Sequence, residues 1–341
     1  MVLAFRNTLL TSRIALPLKC QKASRYAPRG LCRVVRAEAE SEAVDVEPIP
    51  SDPLEAEINT TPPKQFRNTG PDPEKFKVQE GTLGKIIAAS FPLVLRAGSG
   101  AVCSGYKVEL EKDEGQSSYT FLTAAGNRVK ESSEVSAFTR PESPIEIYEF
   151  EGCPFCKKVR EAVSILDLDV IFYPCPQGGT TWRPMANELG GQKQFPYMVD
   201  PNTGVAMYES DAIIQYMFDT YGDGSVPRVL DLGILTTVTA GLGLLPRMGS
   251  GSRARASKIP EEPVVLWGYE ASPFVKVVRE MLCELEIPYL LKTCARGSSK
   301  RNDMLDKAGH FQVPYLEDPN TGEAMFESAY IVEYLEKTYA K

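Results

Sequence analysis

The residues with the plainest chemistry are Cys153 and Cys156, in the stretch EFEGCPFCKKVRE (149–161). Two thiols three residues apart stand one helical turn from each other, close enough for the second to attack a mixed disulfide formed on the first. A strand-like run, PIEIYEF (144–150), precedes them, and apolar residues at helical spacing follow from Pro154 to Leu168, so Cys153 opens a helix. There the unpaired backbone N–H groups and the helix dipole stabilise a thiolate, lowering its pKa from about 8.5. Pro154 suits the first helical turn, where a missing N–H costs nothing. Glu149 and Glu151 push the other way, so the nucleophile's strength is a balance between these acids and the dipole with Lys157 and Lys158.

The same element occurs again without its sulfurs. YEASPFVKVVRE (269–280) keeps the Pro-Phe and the Val-Arg-Glu ending at an offset of 119 residues, with Ser272 and Val275 in place of the cysteines. Around each copy the chain runs strand, helix, strand, helix, hairpin, helix. The first hairpin surrounds Asp200-Pro201-Asn202-Thr203-Gly204 and is followed by an amphipathic helix from Ser210 to Tyr221; the second copy has VPYLEDPNTGEAMFES and YIVEYLEKTY. So extended a match means duplication. It reaches upstream, where LGKIIAASFPLVLRAGSG and LGILTTVTAGLGLLPRMGSG are both apolar runs ending in Arg-x-Gly-Ser-Gly. The first unit alone carries about thirty further residues patterned like a β-hairpin.

The elements that position the thiols therefore divide the chain into six parts. Residues 1–37 hold Arg6, Arg13, Lys19, Lys22, Arg25, Arg29, Arg33 and Arg36 and no acid, the composition of an organelle transit peptide. Residues 38–76 are acidic and proline-rich and read as a disordered linker. An apolar helix with the hairpin extension occupies 77–143, the first α/β domain 144–222, a second apolar helix and linker 223–262, and the second domain 263–341. The uncharged run Leu232–Pro246 is shorter than the ~20 residues a membrane span needs. A helix packed on a domain is the leading reading, and membrane association through 229–246 the second. Hydrophobic residues at 43% and charged residues at 24% are ordinary for a soluble globular protein. Loss of the basic segment near Ala37 would move the formal charge from −7 to about −15, which argues against nucleic acid as a partner.

The other cysteines give no zinc pattern, because no second C-x-x-C completes four ligands, and no metal site is expected. Cys175 and Cys294 end apolar strands in the two copies and read as core. His310, the single histidine, reads as structural.

With these residues in place, the chain resembles the thioredoxin superfamily, between glutaredoxins and the N-terminal domains of glutathione S-transferases. As a whole it resembles the plastid tandem glutathione-S-transferase-N-domain proteins of plants and green algae. The strings IYEFEGCPFCKKVRE, QFPYMVDPNTG, SPFVKVVRE and GHFQVPYLEDPNTGEAMFES carry the likeness. It implies an α/β fold of two tandem thioredoxin-like domains, each a mixed four-stranded sheet flanked by helices, and import into the chloroplast, in the stroma or associated with thylakoids. It implies glutathione as cofactor. Pro196 and Pro314 match the superfamily's cis-proline, so the backbone of Phe195 and of Val313 would pair with the cysteinyl part of glutathione. Glu209-Ser210 and Glu327-Ser328 match the pair that holds its γ-glutamyl end, where a helix-start serine offers N–H and hydroxyl to a carboxylate and the glutamate accepts from the ammonium. Ser272 matches the serine of serine-type transferases. Two departures stand against a full family match. Glutaredoxins place a basic residue just before the first cysteine, and transferases add a helical C-terminal domain, neither of which this sequence has.

The function expected is glutathione-dependent thiol–disulfide exchange on disulfide or glutathionylated proteins, with Cys153 attacking and Cys156 resolving. The second domain is a degenerate or serine-type copy. Three other readings stay open: a non-catalytic glutathione-binding sensor or scaffold, a glutathione transferase or isomerase, and a glutathione-ligated iron–sulfur cluster on Cys153.

Overall fold

The computed structural model describes residues 66–73, 78–112, 119–120, 123–124, 126–247 and 249–341. The basic N-terminal segment and most of the acidic stretch after it lie outside these residues. Part of the expected linker lies inside, and Arg67–Asn68 (β1) forms a short edge strand.

Next come helix α1 (Leu83–Leu95) and strands β2 (Lys107–Lys112), β3 (Thr123–Ala124) and β4 (Asn127–Ser132), which form a separate three-stranded sheet. The first domain follows as β5 (Ile145–Glu149), α2 (Pro154–Ile165), β6 (Val170–Pro174), α3 (Trp182–Gly190), β7 (Tyr197–Asp200), β8 (Val205–Met207) and α4 (Ser210–Tyr221). Helix α5 (Ile234–Leu244) leads into β9 (Val264–Gly268), α6 (Pro273–Glu284), β10 (Tyr289–Thr293), α7 (Lys300–Ala308), β11 (Tyr315–Asp318), β12 (Glu323–Phe326) and α8 (Ser328–Tyr339). The chain thus contains two tandem thioredoxin-like domains.

In each domain the central strand pairs in parallel with the next strand and antiparallel with the hairpin. This gives the orders β6-β5-β7-β8 and β10-β9-β11-β12. The two four-stranded sheets are fused. β6 and β10 pair antiparallel, Phe172 opposite Tyr289, and those rings stack at 5.3 Å between centroids. With β1 on the far edge, the result is one nine-stranded sheet. The apolar faces of α2, α4, α6 and α8 cover it, and Val159, Val163, Phe172 and Ile213 join Val278, Leu282, Leu291 and Ile331 in a single core. In each domain a buried Asp ties the closing helix to the hairpin. Asp200 accepts from the hydroxyls of Tyr216 and Tyr221, both at 2.6 Å, and Asp318 from those of Tyr334 and Tyr339.

α1 packs on α6 and α5 on α2, and the two apolar helices meet where Gly243 lies against Pro92. The linkers then cross. Residues after α1 pair with the second domain, where Arg296 N–H donates to the Ala101 carbonyl and Cys103 N–H to that of Arg296. Residues after α5 pair with the first domain, where Gln177 N–H donates to the Ser252 carbonyl and Ala254 N–H to that of Gln177. Gly100 and Gly251 make this possible. Each has a positive φ, 80° and 73°, and lies against the Cβ of Glu270 and of Glu151, respectively, so that a side chain would be crowded at Gly100 and would collide at Gly251. Among the described residues no helix is long and apolar enough to cross a membrane.

Candidate functional site

Cys153 is the N-cap of α2. Its extended backbone (φ −89°, ψ 122°) turns the sulfur back over the helix start, where it accepts the Cys156 N–H at 3.3 Å, and Pro154 holds the first helical position. The Cys156 thiol also hydrogen-bonds to Cys153. This bond is the largest influence on the Cys153 thiol and lowers its pKa, against burial and the Glu149 charge and with help from the N–H groups of Cys156 and Phe155. Burial drives the Cys156 thiol well above the ordinary range, as does its bond to Cys153. The shifts are opposite in direction, and they favour Cys153 as the nucleophile of the pair. Both are enclosed, Cys153 being 4% and Cys156 1% exposed, in a cluster with Tyr148, Phe195 and Tyr197. Cys175 belongs to the same cluster and Cys294 is equally buried, and burial raises both thiols.

The acids flanking the motif are held in ion pairs. Glu149 accepts from Arg160, and Glu151 pairs with Lys276 and Arg279 of the second domain as well as with Arg160. Lys157 is held by Glu270 and Lys158 by Asp211. The expected contest between acids and lysines is thus largely resolved by ion pairing, with Glu149 the acid still opposing the thiolate.

The other sequence-derived residues gather on the same side. The Phe195–Pro196 bond is cis, and Phe195 belongs to the cysteine cluster. Glu209 has a positive φ of 69° and directs its backbone into α4, which begins at Ser210. Ser210 is buried, its hydroxyl has no hydrogen bond among the described residues, and the first N–H groups of α4 lie beside it. One Glu209 oxygen accepts the Gln194 amide at 2.6 Å. A hydroxyl donor, helix-start N–H groups and a carboxylate acceptor form a set that fits an amino acid's carboxylate and ammonium.

Two residues were missed. Arg183 lies 4.7 Å from the centre of the Phe195 ring and donates to the carbonyls of Cys175 and Pro176, and Gln194 fixes Glu209. The signal for both was the repeat itself, since Arg301 and Gln312 occupy the matching places and make the matching bonds.

The second domain reproduces the frame. Ser272 caps α6 and its hydroxyl accepts the Val275 N–H at 3.4 Å; Val313–Pro314 is cis; Glu327 has a φ of 69° and α8 begins at Ser328. The surroundings differ. Tyr119, from the extension in the first unit, lies 5.5 Å from Phe311 between ring centroids and beside Arg301, and Glu131 of β4 pairs with Arg296 and Arg301. The extension therefore packs on the second domain, and among the described residues the first domain has no counterpart to it. His310 is exposed and meets Phe326 edge-on.

Two segments, 147–225 and 266–341, match the family model for the glutathione S-transferase N-terminal domain. Among solved structures, a glutathione transferase of Bombyx mori, BmGSTD1, is 28% identical over 25% of this chain. The match spans 38% of that protein, with a TM-score of 0.23. Among curated proteins no relative matches. The two domain matches associate the chain with glutathione-related redox or transfer chemistry.

Proposed function

We propose that the protein is a glutathione-dependent thiol–disulfide oxidoreductase whose chemistry resides in the first domain. The pairing of a lowered Cys153 thiol with a proton-holding Cys156 at a helix start carries this reading. Cys153 would attack the sulfur of a disulfide or a glutathionylated thiol, and Cys156 supplies the hydrogen bond that steadies the attacking thiolate. Phe195, Pro196, Glu209 and Ser210 would hold glutathione, with Arg183 and Gln194 fixing the first and third of these. Glutathione, when bound, supplies the electrons that return Cys153 to its thiolate.

The enclosure of both sulfurs favours a small or extended disulfide partner, and it supports one second reading, a glutathione-binding redox sensor that turns over slowly or not at all. In the second domain, Ser272, Val313, Pro314, Glu327 and Ser328 repeat the frame without a sulfur, which suits ligand binding without exchange. We also propose import into the plastid, on the composition of residues 1–37.

The test is deglutathionylation of a mixed-disulfide substrate coupled to glutathione reductase. Cys153→Ser should abolish turnover, while Cys156→Ser should keep a fraction by the monothiol route. No turnover by the folded wild-type protein would leave the sensor reading.

A further inference from the structure

The two domains differ at an ion pair between matching helices. In the first domain, Lys158 of α2 reaches Asp211 in the first turn of α4, and this ion pair bridges the two helices. At the matching positions of the second domain, offsets of 119 and 118, stand Val277 and Ala329. The charge pair has become a valine and an alanine, and the space it would fill is open. It forms a cavity of about 370 Å³ between α1, α6 and α8, with apolar walls of Ile86, Val277, Met281, Ala329 and Val332.

Four charged side chains line the cavity, Glu333, Glu336 and Lys337 of α8 and Lys85 of α1, and their pairing decides what it would accept. Glu333 is paired with Lys337, and Glu336 with Arg255. Lys85 of α1 is exposed and has no ion pair among the described residues. Ser328, also lining the cavity, is only 7% exposed, and its hydroxyl has no hydrogen bond among the described residues. A hydroxyl with no protein partner is free to donate to an acceptor that enters the cavity. An unpaired cation, an unpartnered hydroxyl and apolar walls in one cavity of ligand-binding size define an amphipathic anion.

We propose that this cavity binds an apolar carboxylic acid, its chain or ring between Ile86, Val277, Met281 and Val332 and its carboxylate against Lys85 and the Ser328 hydroxyl. The site is built by α1, a helix outside both thioredoxin-like domains, and it requires neither cysteine. In this view the second domain, which has no thiols at the matching places, carries a binding site where the first carries an ion pair.

Isothermal titration of the full chain with decanoate, and with decanol as the uncharged control, tests this directly. Decanoate should bind at least about tenfold more tightly than decanol, and Lys85→Ala should remove most of that difference, as expected when a charge-assisted contact is lost. The double variant Val277→Lys/Ala329→Asp installs the pair that the first domain already carries, and it should abolish binding while keeping the wild-type melting temperature. Should that variant fail to fold, methyl-labelled Met281 in the wild type gives a second readout, and its resonance should shift on adding decanoate. Absence of decanoate binding at about 1 mM, unchanged binding in the folded double variant, or an unmoved Met281 signal would each overturn the proposal. Binding should persist in Cys153→Ser, so failure of the thiol chemistry and failure of this site are separate results.

Discussion

Glu270 of the second domain accepts the Lys157 ammonium of the first at 2.7 Å, and Glu151 of the first accepts the Lys276 ammonium of the second at the same distance. The four residues are two repeat-equivalent pairs exchanged across the domain boundary. Arg160 and Arg279 follow the same rule, each reaching the other domain's acid. All six side chains are almost fully buried. The flanking helices add an outer layer in the same style, Arg96 to Glu161 and Arg247 to Glu280. In a cluster of this kind the Coulombic gain is largely offset by the desolvation of the buried charges. The cluster locks Glu151, beside the C-P-F-C motif, to partners more than a hundred residues away.

Removing one acid while its cations stay buried should therefore cost far more than a surface pair. Glu270→Ala, which takes a shared partner from the buried Lys157, Arg160 and Arg279, should lower stability by about 3–5 kcal/mol, and Glu151→Ala by a similar amount. Urea denaturation of the full chain measures both. A loss below about 1 kcal/mol, the scale of an exposed pair, would count against the exchanged network.

The same acid sets an acid limit on stability. Burial alone would raise the Glu270 carboxyl, but Arg279, Lys157 and Arg160 overcome it and hold it at about 2, against an ordinary 4.5. The folded value is the lower one, so this contribution is complete above about pH 4.5 and disappears as the pH falls toward 2. At neutral pH it amounts to at most about 3 kcal/mol. Glu270→Gln should flatten the decline in urea midpoint between those pH values, and an unaltered slope would show that the acid limb comes from elsewhere.

Because the Cys156 thiol donates to Cys153, its loss should be visible in the chemistry of its neighbour. In Cys156→Ala the pH midpoint of Cys153 alkylation by iodoacetamide should move up. In Cys156→Ser, where a hydroxyl can donate in the same place, it should stay nearer the wild-type value. Equal midpoints in alanine and serine variants would deny Cys156 this role.

The tyrosine–aspartate ties can be read one bond at a time. Tyr221→Phe removes a buried hydroxyl donor to the Asp200 carboxylate without changing the ring, and should cost about 1.5–3 kcal/mol. Tyr339→Phe, at the matching place beside Asp318, should cost a similar amount if the two domains are held alike. Thermal melts of the two variants provide the comparison.

Much of each domain was legible in the residue order. The alternation of PIEIYEF, the helical spacing after Pro154 and the Asp-Pro-Asn-Thr-Gly turn act over a few residues, and backbone geometry turns each into an element nearly as expected. Cys153 at a helix start followed from the same local reasoning. The stretch read as linker up to residue 76 includes β1, because a two-residue strand held only by an edge of β12 leaves no periodic trace.

The sequence by itself determined that the chain contains the same unit twice, with sulfurs in one copy only, and it identified which side chains open the two helices. Tertiary structure decided the fusion of the sheets through β6 and β10, the crossing of the linkers, the packing of the first unit's extension on the second domain, and the pairing of Glu151 and Glu270 with cations of the other half. The reason is physical. Strand and helix are fixed by torsions and contacts within a few positions, whereas an ion pair such as Glu270 with Lys157 depends on the path of the 112 residues between them. Neither side chain carries a mark of its partner until the two domains share one sheet.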